Sequence, residues 1–253
     1  MFEVSGDIAA LLVLVAFVAG LVDSIAGGGG LITLPALLLA GASPLQALST
    51  NKLQGTFGAA TAALAYARAG LVDLGKQRAA AGVALLAGAA GAGLATVLPT
   101  DWLRLVLPVV LVGVAAFFAF KPGLTDEDRR ERLPPAVYLI TVVPLIAGYD
   151  GFFGPGTGSF FMLGFVLLAG YGVLKATAHT KLLNLASNFG SLAVFATTGE
   201  TWWMVGLGMG LAQIAGAALG ARLAMRVGGR LIKPLLVATS SALALRLIWQ
   251  SWG

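Results

Sequence analysis

Four ionisable residues, Asp23, Lys52, Asp150 and Lys181, sit in or beside stretches that are otherwise apolar. A charge at the bilayer centre costs at least about 2.5–3.5 kcal/mol on insertion scales, so each one implies a partner or a task. They come as two matched sets. Asp23 precedes Gly27, Gly28, Gly29 and Gly30, and Asp150 precedes Gly154, Gly156 and Gly158. Lys52 lies in "STNKLQGTFG" with Asn51 and Gln54, while Lys181 lies in "HTKLLNLASN" with Thr180, Asn184 and Asn188. Ammonium groups, hydroxyls and carboxamides can all donate hydrogen bonds, which suits an oxyanion. The competing reading is that each lysine neutralises an aspartate as a structural pair, or reaches for the interface.

The glycines sharpen the first reading. Four in a row interrupt an apolar helix, and the next segment then begins as a new half-helix whose N-terminus favours an anion. Broken helices at matching positions of two halves are a sequence pointer to a transporter's substrate site. Close helix packing, the rival role for glycine, explains Gly88, Gly91, Gly93, Gly216 and Gly220 better than Gly27–Gly30. Asp23 and Asp150 are candidates to carry a coupling proton. His179, two residues before Lys181, is a third, although a single histidine is more often a hydrogen-bonded helix residue. One histidine and no cysteine leave no metal constellation, and no cofactor is expected.

The elements that must hold these residues are membrane helices. Of 253 residues 58% are hydrophobic and 11% charged, with mean hydropathy +0.91; a soluble domain carries about 25% charged residues. The net charge of +5 fits the Lys/Arg excess of cytoplasmic loops better than nucleic-acid binding. The N-terminus "MFEVSGD" lacks the basic region of a signal peptide, so residues 8–22 read as a retained first helix.

The chain is duplicated. The Asp–Gly motifs repeat at a shift of 127 and "NKLQGTFGAATAALAYARAG" (51–70) overlies "TKLLNLASNFGSLAVFATTG" (180–199) at 129. Residues 1–122 and 133–253 form the two repeats, joined by a charged cytoplasmic linker, 123–132. Loop 68–78 holds Arg68, Lys76 and Arg78, whereas its mate 197–207 holds no Lys or Arg; 222–233 is basic where 96–104 holds only Arg104. Opposite bias in equivalent loops implies inverted repeats. The expected fold is an all-α polytopic membrane protein of five segments per repeat with Gly-broken helices at its centre. The segments are 8–25, 29–42, 44–68, 79–98 and 102–120, then 135–149, 157–171, 174–198, 201–222 and 231–250. Both termini then lie outside. Segment 29–42 is too short for a full crossing.

These stretches resemble the sulfite exporter TauE/SafE family. "GLVDSIAGGGGLITLPALL" with "STNKLQGTFGA", repeated as "GYDGFFGPGTGSFFML" with "HTKLLNLASNFGSL", carries the likeness, which spans essentially the whole chain. The resemblance implies a bacterial inner-membrane permease for sulfite or an organosulfonate, and directs interest to the two Asp–Gly motifs and the Asn51–Lys52 and Thr180–Asn188 clusters. The expectation is a secondary transporter working by alternating access around a midplane site, with H+ as a candidate coupling ion. Homo-oligomerisation stays open. An anion channel with the same site is the first alternative and a non-transporting assembly subunit another. A membrane enzyme is the weakest, because HExxH, GxSxG and P-loop motifs are absent.

Overall fold

A computed structural model of the chain describes residues 3–99 and 127–228, with 101–103, 105, 106, 109, 110 and 113 between them. The expected segments 102–120 and 231–250 and the start of the linker lie mostly or wholly outside the described residues. Among those described there is no strand. The helices are α1 (Gly6–Ala26), α2 (Gly29–Leu39), α3 (Pro44–Arg68), α4 (Arg78–Val97), α5 (Pro135–Phe152), α6 (Thr157–Leu167), α7 (Val173–Phe195) and α8 (Trp203–Val227). Four of them, α1, α4, α5 and α8, are long and apolar enough to cross a membrane. Helices α3 and α7, of 25 and 23 residues, reach about 37 and 34 Å, but the polar clusters at Asn51–Gln54 and Thr180–Asn188 interrupt their apolar character.

Local chemistry sets the boundaries. Ser43 and Gln46 form a reciprocal capping box that starts α3 with Pro44 in its first turn. In α5, residues Tyr138–Val142 widen into a π turn, in which Val143 N–H bonds the Tyr138 carbonyl. Pro144 follows immediately; its ring lacks an N–H and crowds the preceding turn, which the wider turn relieves. Helices α2 and α6 have 11 residues each, about 16 Å, roughly half the 30 Å hydrocarbon core. The expected 29–42 and 157–171 are therefore too long: α6 ends where the 168–171 turn is tied to the linker through Arg132 and Leu133 N–H to the Leu168 carbonyl. Asp23 lies inside α1, as the expected segment 8–25 had it, and Asp150, expected just past 135–149, lies inside α5.

Contacts fix the running directions. Glu3 bonds Met204 and Val205 N–H at the start of α8, and further along Gly208 approaches Val13, Gly216 Phe17 and Gly220 Leu21. Thus α1 and α8 run side by side in one direction. Thr50 meets Trp202, Gly210 meets Phe57 and Gly58 meets Gln213, so α3 runs with them. In the other group, Gln77 meets His179 and Gly88 meets Ser187 and Ser191, which aligns α4 with α7. The starts of α4 and α5 line one cavity with Ala79, Ala80, Pro135 and Tyr138, so α5 belongs to this group. Trp202, just past α7, touches the start of α3, and Gln77, past α3, touches the start of α7; the two groups are antiparallel.

Glycine makes the crossings possible. A Cβ on Gly91 would run into the Gly148 carbonyl, and one on Gly220 into the Leu21 carbonyl. These two crossings correspond under the repeat shifts of 129 and 127.

Candidate functional site

The two glycine breaks meet at the centre. Gly27 and Gly28 adopt φ of 79° and 91°, and Gly154 and Gly156 adopt 86° and 77°, the left-handed region that only glycine enters without strain. They end α1 and start α2, and separate α5 from α6. The breaks pack against each other: a Cβ on Gly27 would lie 2.5 Å from the backbone of Gly158 and Ser159. Ser159 Oγ also donates to the Ala26 carbonyl at 3.0 Å.

Between them lies a cavity of about 40 Å³ lined by the first turns of α2 and α6, by Asp23 and Asp150, and by Asn51, Gln54, Asn184, Asn188 and Gln213. One water needs about 10–15 Å³ on this measure, so the space suits a ligand of a few heavy atoms. First-turn N–H groups have no acceptor within their own helix, and here they come from two helices at once. Three of them are already taken: Gly29 N–H by Asp23 Oδ1 at 3.0 Å, Leu31 N–H by the Gly28 carbonyl at 2.9 Å and Thr157 N–H by the Gly154 carbonyl at 3.2 Å.

The lysines stand behind this wall, and their partners cross between halves. Lys52 Nζ lies 2.7 Å from Asp150 Oδ1, and Lys181 Nζ lies 2.9 Å from Asp23 Oδ2 and also bonds the Asp23 carbonyl. Lys52 is 1% exposed and Lys181 0%, so neither ammonium reaches water, and each needs its carboxylate. Ser187 donates to the other oxygen of Asp150. A Cβ on Gly154 would sit 2.8 Å from Lys52 Nζ, so that glycine leaves room for the ammonium as well as forming the turn.

Most of the residues singled out in the sequence line the cavity: Asp23, Gly28, Gly29, Gly30, Asn51, Gln54, Asp150, Gly154, Gly156, Gly158, Asn184 and Asn188. Gly27, Lys52, Thr180 and Lys181 lie outside that lining. His179 does too; its ring packs at 4.9 Å from Tyr171 and 5.6 Å from Phe165 and bonds Gln77. Three lining residues escaped the sequence reading: Gly55, Thr157 and Gln213. The signal for Gln213 was a single carboxamide in the apolar run 203–221. Thr180 Oγ1 and Asn184 Oδ1 are buried without a hydrogen-bond partner among the described residues.

Outside the helices' apolar spans, Asp128 of the linker accepts from Lys175 Nζ and Gly172 N–H, both at 2.7 Å. The Lys175 hydrogen bond, with help from Gly172, holds the Asp128 carboxyl below the usual carboxylate range.

Broken helices around a buried polar centre, in a bundle of apolar helices, define a multi-pass membrane transporter. The model of the family described as sulfite exporter TauE/SafE matches residues 12–247, and the chain belongs to that family. A "probable membrane transporter protein ORF9" of Sinorhizobium sp is 54% identical over 248 residues, 98% of this chain and 95% of that one. The "probable membrane transporter protein YfcA" of Escherichia coli K12 is 40% identical over 253 residues, covering 100% and 94%. A "probable membrane transporter protein" of Haemophilus influenzae is 40% identical over 251 residues, covering 99% and 98%. No solved structure matches.

Proposed function

We propose that the protein is a secondary transporter of a small sulfur-containing anion, sulfite or a short organosulfonate, which binds in the cavity between α2 and α6. The observation that carries this reading is the meeting of two half-helix N-termini in one small cavity ringed by carboxamides. The anion's charge is met by helix-terminal N–H groups and amide donors. The Lys–Asp pairs set the field behind them. Protonation of Asp23 or Asp150 would leave its lysine uncompensated and favour an anion in the cavity; that linkage is the proposed route of H+ coupling. The family's described activity and the cavity's size both favour this substrate class.

Alternating access then follows from two inverted repeats, 1–122 and 133–253, in a bacterial inner membrane with both termini outside. The antiparallel sense of α1 against α5, α3 against α7 and α4 against α8 supports that reading. Each half lends its fourth helix to the other, α8 to α1 and α4 to α5, so the described helices of the two halves interleave around the cavity.

Two experiments test this. In proteoliposomes preloaded with sulfite, labelled sulfite should enter by saturable counterflow with a pH dependence that Asp23→Asn or Asp150→Asn flattens. Uptake linear in concentration would indicate a channel instead. For topology the cysteine-free chain allows single cysteines at the equivalent positions Ala69 and Thr198. An impermeant thiol reagent on intact cells should label Thr198→Cys alone; labelling of both, or neither, would overturn the inverted arrangement.

A further inference from the structure

Helix α8 contributes one polar side chain to the cavity, Gln213, and it is 3% exposed. Two glycines on other helices open its slot. A Cβ on Gly20 of α1 would stand 2.7 Å from Gln213 Oε1, and one on Gly58 of α3 would collide with the same atom. From this slot Gln213 Nε2 donates to Gln54 Oε1. Gln54 Nε2 in turn donates to Asn51 Oδ1 at 2.8 Å, and Thr33 Oγ1 donates to that oxygen at 2.6 Å. The Asn51 oxygen is therefore taken twice. No acceptor among the described residues takes its Nδ2, which stands beside Gly30 at the cavity wall, 3.4 Å from where a Gly30 Cβ would be.

The chain of carboxamides has a direction. The Gln54 and Asn51 oxygens are each consumed by the amide before them, so the last member offers N–H groups, and only N–H groups, to the cavity. Reversal would present Asn51 Oδ1 instead, a partial negative charge facing the ligand. Under the repeat shift of 129, Asn51, Gln54 and Gln213 correspond to Thr180, Leu183 and Ala84, which cannot form such a chain. The polarity is built into one wall only.

We propose that Gln213 is a positioning residue of the anion site: acting through Gln54, it holds the Asn51 carboxamide with its nitrogen toward the cavity. This rests on the anion-transport reading given above. The test is sulfite binding by titration calorimetry on the purified full chain. In Gln213→Glu, titrated at a pH where the new carboxyl is ionised, the side chain only accepts. Gln54 must then turn its Nε2 toward residue 213, and Asn51 must turn its oxygen toward the ligand. Sulfite affinity should fall about tenfold or more, the scale of a lost hydrogen bond to a charged group. Gln213→Met removes the tether without reversing it and should cost less, roughly two- to fivefold on the scale of an uncharged bond. In an Asn51→Ala background Gln213→Glu should change affinity less than about twofold, because nothing remains for it to turn.

Wild-type affinity in Gln213→Glu overturns the proposal, as does an equal loss with and without Asn51. If the Glu variant fails to fold, wild-type affinity in Gln213→Met overturns it alone. Absence of sulfite binding by the unaltered protein would remove the anion reading itself, and this inference with it.

Discussion

Lys52→Met should destabilise the protein by about 3–5 kcal/mol, the cost of leaving one member of a buried pair uncompensated. Asp150 is 2% exposed, and its two recorded side-chain partners are Lys52 and Ser187. With the ammonium gone, a buried carboxylate keeps one hydroxyl, that of Ser187, as its side-chain partner. Lys52→Met/Asp150→Leu should recover most of that stability, because a pair replaced by apolar groups of similar volume is often neutral or better. Unfolding by denaturant in mild detergent would report both values. The same proteins separate structural from functional roles. If the pair sets the field for the anion, the double variant folds yet shows no counterflow. If it transports at the native rate, the pair is scaffolding.

Gly27→Ala should be comparably damaging for a different reason. A Cβ there must adopt φ of 79° and must also stand 2.5 Å from the backbone of Gly158 and Ser159. Backbone strain of about 1–3 kcal/mol adds to overpacking of about 1–3 kcal/mol. Gly41 provides the comparison: its φ is 95°, but a Cβ would meet nothing within 4 Å. Gly41→Ala should therefore cost only the strain term. Equal losses at the two positions would mean that the break regions do not pack together as described.

The half-helices were legible in the sequence because glycine runs beside an acid have few other uses in an apolar chain. The polar clusters were legible for the same reason: Asn51, Lys52, Asn184 and Asn188 are expensive residues in such surroundings. What could not be read was who meets whom. Lys52 pairs with an aspartate 98 positions away and Lys181 with one 158 positions away, and no local pattern encodes either choice. The cross-pairing needs α3 and α7, which carry the two lysines, to pack against each other, which is a property of the assembled bundle. Gln213 was missed on similar grounds. Its slot is made by Gly20 and Gly58 on two other helices, and only their meeting gives the carboxamide a direction.

The central claim is that an oxyanion sits between the N-termini of α2 and α6. Selenite has the shape and charge of sulfite and carries an anomalous scatterer, so crystals grown with selenite and measured at the selenium edge would locate it directly. One anomalous peak should appear within hydrogen-bond reach of the Gly28–Gly30 and Gly156–Gly158 turns and of Asn51 Nδ2, displaced by added sulfite. A peak at the basic loops with none in this cavity would contradict it.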